Sequence, residues 1–467
     1  MNEIPPPEHA KARPSPRPSP RPSPRPSQFS LLRARRFWPL FVTQFLGAFN
    51  DNAYKNALMV LLAFRAASWT EIAPEMLANL SAALFILPFF LFSATAGQLA
   101  DKFDKARLAR LAKALEIGII LVAALGFGLR SLPVLLTALF LLGLQSTLFG
   151  PVKYAILPQH LHPAELVSGN ALVEAGTFIS ILLGTLVGGL LAGLDNGIAW
   201  IVGICLAAAV GGFWASGRIP AAPAPEPALR IASNPLAETW RCIGFARRER
   251  SVLLSILGIS WFWAYGALLL TQFPVYTKVV LGGDETLVTA LLAVFSVGIG
   301  AGSLLCDTLT RRRGKLVEPG LVPLGALGMV LFGVDLSLAS PAQTGAALRP
   351  LAELLHDGGT WRVLLDLFFL GGFGGLYGVP LYALVQQRSP VQYRARIIAA
   401  NNIFNALFMA TGAVGASAFL HHGYGIPALF LLAAVVHGLV TVYIFSVVPE
   451  FPLRALAWLG WRRRDDP

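Results

Sequence analysis

Twelve mainly apolar stretches, each close to the length needed to cross a bilayer, recur along this chain and confine it to a membrane-spanning helical bundle. A helix needs about 20 such residues to traverse the hydrocarbon core, where its backbone groups must be satisfied internally. The windows fall near 37–64, 76–99, 108–129, 132–152, 171–194, 197–217, 252–273, 286–308, 319–339, 362–386, 397–420 and 425–448. With 55% hydrophobic and 13% charged residues and 45 glycines in 467, the composition is that of a polytopic membrane protein. The expected fold class is therefore all-α, with twelve transmembrane helices in two six-helix halves.

The basic residues test that count, because a wrong number of spans would scramble the alternation of positive loops. With a cytoplasmic N-terminus, the tails and the loops after even-numbered spans hold 31 of the 37 Lys and Arg residues, counting Arg110 and Lys113 at the start of the third window with the loop before it and including Arg462, Arg463 and Arg464. The other side holds Arg65, Arg130, Lys278, Arg349 and Arg362, while Lys55 lies inside the first span. This asymmetry predicts a multi-pass membrane protein with both termini cytoplasmic. It also gives the net charge of +12 a membrane explanation in place of nucleic acid. Cys205, Cys242 and Cys306 lack paired spacing, so packing is expected of them rather than a disulfide or metal site, and no cofactor is implied.

The chain divides into a Pro/Ser/Arg-rich, disordered cytoplasmic tail at 1–36, a six-helix half at 37–217, a linker at 218–251, a second six-helix half at 252–448 and a basic tail at 449–467. The repeat "RPSPRPSPRPSPRPS" offers nothing to bury and stays extended. In the linker, Pro235 after Asn234 suits the start of a short interfacial helix. Two equal halves joined by a longer loop are the pattern of a duplicated transporter.

Ionisable groups at membrane depth are costly, about 2.5–3.5 kcal/mol each on insertion scales, and mark function more often than packing. "QFLGAFNDNAYKNALMVLLAF" sets Asn50, Asp51, Asn52, Lys55 and Asn56 in the middle of the first span. Asp51 and Lys55 are four apart, as are Asn52 and Asn56, so they form a polar stripe. The stripe is either a self-neutralising ion pair or the lining of a cavity, and the added asparagines favour the cavity. Glu116, Gln145, Glu174, Asp366, Asn401, Asn402 and Asn405 are further polar candidates within spans, with Glu174 foremost. Lys153, between two prolines, can snorkel to the cytoplasmic interface.

Span two ends in "GQLADKFDKARLAR", which resembles the cytoplasmic signature of the major facilitator superfamily through Gly97, Asp101, Lys102, Lys105 and Arg107, although Asp104 stands where that pattern has a second glycine. The degenerate second copy is "GSLLCDTLTRRRGK". The resemblance implies a conformational latch made by Gly97, Asp101, Lys102 and Arg107. It also implies that Gly184, Gly188, Gly189, Gly193, Gly298 and Gly302 lie where spans five and eight meet between the halves.

A narrower resemblance rests on "TQFLGAFNDNAYKNAL", "STLFGPVKYAILPQ", "SGNALVEAGTFISILLGTLVGG" and "VPLYALVQQRSPVQYRARIIAANNIFNALF". Together these look like the bacterial lysophospholipid transporter family. The resemblance implies substrate binding by Asp51, Asn52, Lys153 and Glu174, to which the stripe adds Lys55. It also implies a lysophospholipid such as lysophosphatidylethanolamine as substrate, flipped toward the cytoplasmic leaflet. The acyltransferase and ligase domains fused to some members have no counterpart motifs here, so any acylation falls to a separate acyltransferase or acyl-carrier-protein ligase. Two rivals remain: a proton-coupled exporter of hydrophobic molecules using Glu116, Glu174 or Asp366, and a non-transporting membrane scaffold.

Overall fold

The computed structural model describes residues 27–65, 72, 74–312, 317–341 and 348–460. Residues 1–26 and Arg462 to Arg464 lie outside the described residues, but the expected tails are corrected where they are described. Gln28–Arg33 form a 3-10 helix with Leu31 buried, Arg36 pairs with Glu165, and Glu450–Trp458 form a helix with Phe451 buried, so disorder does not extend to residue 36.

Twelve long helices cross from end to end: α1 (Trp38–Arg65), α2 (Pro74–Lys102), α3 (Lys105–Gly128), α4 (Leu132–His160), α5 (Leu166–Ala192), α6 (Gly197–Ser216), α8 (Arg250–Tyr276), α9 (Glu285–Arg312), α10 (Leu321–Ala339), α12 (Gly358–Arg388), α13 (Arg394–His421) and α14 (Ile426–Val447). Three shorter ones, α7 (Pro235–Arg247), α11 (Leu351–Leu354) and α15 (Glu450–Trp458), sit at their ends. Among the described residues, eleven of the twelve are long and apolar enough to cross a membrane by composition. The twelfth is α1, 28 residues long, in which the polar stripe replaces apolar side chains without breaking the helix.

Packing follows a repeated plan. In the first bundle α1 lies against α5 and α6, α4 against α2 and α3, and α3 against α6; in the second, α8 lies against α13 and α14, α12 against α9 and α10, and α10 against α14. Across the bundles α2 meets α13 and α5 meets α9, two seams related by the same internal symmetry. Both seams run toward the end where α2 gives way to α3 through Lys102 and Lys105, called here the basic end.

The glycine pairs contradict one expectation. A Cβ on Gly184 or Gly188 would come within 2.5 or 2.3 Å of the α1 carbonyls of Phe49 and Ala53. One on Gly298 or Gly302 would meet those of Phe368 and Gly372 on α12 at 2.3 and 1.8 Å. A Cβ on Gly189 would meet nothing, and one on Gly193 only its own Leu190 carbonyl at 3.6 Å. These spacings therefore bring helices together inside each bundle, not across the α5–α9 seam. Small-residue spacing specifies close approach but not to which neighbour.

The linker is not a free loop. Ala222 N–H donates to Asp104 at 2.9 Å, Ala232 N–H to the Gln98 side chain at 2.7 Å, and Gln159 to the Pro223 carbonyl at 3.1 Å. The strap is thus bonded to the basic ends of α2, α3 and α4. It leads into α7, whose N-cap Asn234 accepts from Leu236 and Ala237 N–H. The three cysteines are buried.

Candidate functional site

The polar stripe of α1 divides in two. Asn50 is fully buried and turns into the first bundle, where its amide donates to Glu116 at 2.8 Å. Asp51, Asn52, Lys55 and Asn56 are half-buried. Asp51 accepts from Ser146 of α4 at 2.5 Å, while its other carboxylate oxygen has no hydrogen-bond partner among the described residues. Lys55 donates to Asn52 at 3.1 Å and lies 5.4 Å from the centre of the Phe85 ring on α2. Asp51 and Lys55 therefore keep separate partners, although their spacing allowed a pair. Asn56 bonds the Asn52 carbonyl and Thr185 of α5.

Deeper toward the basic end, α4 and α5 supply Lys153 and Glu174. Glu174 is 1% exposed and one of its carboxylate oxygens is unpartnered. Lys153 is half-buried, with its ammonium 4.6 Å from the centre of the Tyr154 ring. It is within electrostatic reach of both Glu174 and Asp51. Tyr154 stacks on Tyr382 of α12 at 4.5 Å between centroids, and Tyr382 accepts from the Trp263 indole at 2.8 Å. Nearby on α13, the buried Asn401 amide adjoins Tyr382. One bundle thus contributes charge and the other contributes aromatic rings and an amide. Groups of both signs with unused hydrogen-bonding capacity can hold a ligand that carries both signs.

Behind Asp51 lies a network that charge counting misplaced. Lys113, assigned above to a basic loop, is 0% exposed and pairs with Glu116 at 2.6 Å. It fits because Gly47 and Gly212 have no side chains; a Cβ at Gly47 would stand 2.7 Å from its ammonium. Glu116 also accepts from Gln145 at 3.1 Å, and the amide oxygen of Gln145 lies 3.3 Å from the Ser146 hydroxyl that donates to Asp51. The buried pair therefore lies within two side chains, Gln145 and Ser146, of the half-buried aspartate. The signal was present in sequence as a lysine three residues before a glutamate in an apolar run.

At the α2–α13 seam, Asp101 is fully buried. It accepts from the Ala395 and Arg396 backbone N–H groups at 3.2 and 3.3 Å and from Arg396 Nε at 3.0 Å. These are free donors of the first turn of α13, where a helix favours negative charge. Arg396 also pairs with Glu226 of the strap. A Cβ on Gly97 would lie 2.8 Å from Ala399 and 2.9 Å from the Arg396 Cα, so only glycine permits this approach. Lys102 is half-buried beside Phe103, and Arg107 is exposed, its N–H donating to Asp104. The arginine that engages Asp101 is thus the distant Arg396.

At the α5–α9 seam, Ser168 donates to Asp307 at 2.6 Å, and Arg311 pairs with Asp307 at 2.6 Å. Between them, Asn170 and Gln386 exchange two amide hydrogen bonds of 2.7 and 3.0 Å from α5 to α12. Among the described residues, the side-chain hydrogen bonds joining the bundles all lie from mid-depth to the basic end. A separate groove of about 450 Å3 between α3 and α4, lined by Gly118, Ile119, Leu144 and Gln145 among others, is apolar and offers no charge to a head group.

The Major Facilitator Superfamily profile matches residues 40–352. A lysophospholipid transporter LplT of Enterobacter sp. (strain 638) is 30% identical over 74% of this chain and 78% of its own. That of Escherichia coli (strain K12 / DH10B) is 29% identical over 84% of this chain and 92% of its own. Among solved structures, the transporter FucP in the outward conformation superposes with a TM-score of 0.64 at 11% identity, covering 88% of this chain and 99% of its own. A bacterial homologue of the iron transporter ferroportin in its outward-facing state gives 0.63 at 15%, covering 87% and 99%.

Proposed function

Since this chain belongs to the major facilitator superfamily and, within it, to the lysophospholipid transporter family, and is a transporter rather than an enzyme, we propose that it moves lysophospholipids such as lysophosphatidylethanolamine toward the cytoplasmic leaflet of a bacterial inner membrane by alternating access. The carrying observation is the set Asp51, Lys153 and Glu174, charges of both signs at mid-depth with open hydrogen-bonding capacity. A zwitterionic head group offers an ammonium to Asp51 or Glu174 and a phosphate to Lys153. Its single acyl chain requires an apolar path.

In this reading 37–217 and 252–448 are the rocking halves, the basic end is cytoplasmic, and the bonds concentrated there belong to a form closed to the cytoplasm. A separate acyltransferase or ligase would consume the delivered lysolipid. Glu116 is already engaged by Lys113, Asn50 and Gln145, which leaves Glu174 and Asp366 to the proton-coupled alternative.

Uptake of labelled lysophosphatidylethanolamine into liposomes tests the reading with Asp51→Asn, Lys55→Met, the double variant and Lys153→Ala, at matched incorporation. A charge-assisted contact is worth about 1.5–3 kcal/mol, so Asp51→Asn and the double variant should each weaken uptake about tenfold or more. Lys153→Ala should weaken it independently. Restored uptake in the double variant would reduce Asp51 and Lys55 to a structural pair. Movement of hydrophobic dyes down a pH gradient, with no lysolipid uptake, would favour the exporter.

A further inference from the structure

The linker helix α7 has two faces with different fates. Glu238, Cys242 and Ala246 are buried against the bundle, where α7 packs on α2, α13 and α8. On the other side Leu236 and Trp240 are 70% and 71% exposed, with Ile231 just before the helix also exposed. Exposed Arg230 and Arg247 flank this apolar patch. The helix sits on the basic ends of α2, α13 and α8, where these spans leave the apolar layer. Apolar and aromatic side chains rimmed by arginine, at the membrane-water boundary of the basic end, match an acidic lipid surface.

The buried side of α7 touches the seam. Phe245 stacks on Tyr393 at 4.6 Å, and the Arg396 guanidinium lies 5.0 Å from the Phe245 ring centre. Arg396 is the residue that holds Asp101. Displacing α7 would therefore remove one side of the arginine's cradle.

We propose that α7 binds anionic phospholipid head groups of the leaflet at the basic end and, through Phe245, holds the Asp101–Arg396 seam closed while it is bound. The proposal rests on the basic end being the cytoplasmic one only for its placement in the cell. It makes no use of which substrate is carried.

The test uses full-length protein in vesicles of phosphatidylethanolamine alone or with a quarter phosphatidylglycerol in both leaflets, so sidedness does not matter. A spin label on Trp240→Cys reports depth, the native cysteines being buried. With phosphatidylglycerol, dissolved oxygen should relax the label more than a water-soluble nickel chelate does. Arg230→Gln and Arg247→Gln should weaken this lipid preference about fivefold for each charge removed. Labels at Phe103→Cys and Val391→Cys, both on exposed side chains, should show a shorter, narrower distance distribution when phosphatidylglycerol is present, an effect lost in Phe245→Ala. A water-exposed label in both lipids, or seam distances indifferent to phosphatidylglycerol, would overturn the proposal. Neither readout involves lysolipid, so its failure is distinct from failure of the transport reading.

Discussion

The seams α2–α13 and α5–α9 occupy equivalent places in the repeated plan, each centred on a buried aspartate, yet they distribute charge differently. Asp101 depends on the opposite bundle for three donors, one of them from a guanidinium. Asp307 has an arginine, Arg311, on its own helix four residues on, and both meet the Ser168 hydroxyl of the opposite bundle, which donates to Asp307 and accepts from Arg311. Separating the first seam strips a buried carboxylate of a cationic partner. Separating the second breaks the bonds to Ser168 but keeps the Asp307–Arg311 pair together on α9. The difference teaches that a duplicated architecture can place one strong catch and one weak one at matching positions.

The largest expected effect is therefore Asp101→Asn. Loss of charge-assisted bonds should shift the balance toward the form open at the basic end by about 2–3 kcal/mol, roughly a hundredfold in the ratio of states. Distances between spin labels at the basic ends of α2 and α13 measure it. An unchanged distribution would make Asp101 a topological anchor only. Gly97→Leu comes next, because its side chain would strike the α13 backbone; a cost of about 1–3 kcal/mol to the closed form is expected, read by the same labels. Ser168→Ala, which removes a hydroxyl bonded to both Asp307 and Arg311 but leaves their pair in place, should be smallest, about 1.5 kcal/mol. If it matched Asp101→Asn, the proposed inequality of the seams would be wrong.

How much of this was legible in sequence depended on whether the partner was local. The twelve spans were, because apolar length is a property of each segment alone. Asp51 stood out because a carboxylate in an apolar run is conspicuous without its neighbours. Arg396 did not, since it lies 295 positions from Asp101 and reads as one more basic residue at a helix start. Asn170 and Gln386, 216 apart, gave no sign of pairing because neutral amides are common in helices. Lys113 was concealed by the positive-inside pattern itself, which explains any lysine near a helix end whether or not it faces water. The glycine spacings were visible, but their direction was not.

The strap has a consequence for the speed of the cycle. A proline-rich linker of its length, if loose, would let the two bundles drift apart through a large volume whenever their contacts broke. Bonded along α2, α3 and α4 and then packed through α7 on α2, α13 and α8, it leaves little free chain between α7, which ends at Arg247, and α8, which starts at Arg250. The effective concentration of α13 near Asp101 then stays high after opening. Reclosure becomes a search over a few ångströms, and the residence time of the open form is set by whatever occupies the path rather than by how long the bundles take to meet again.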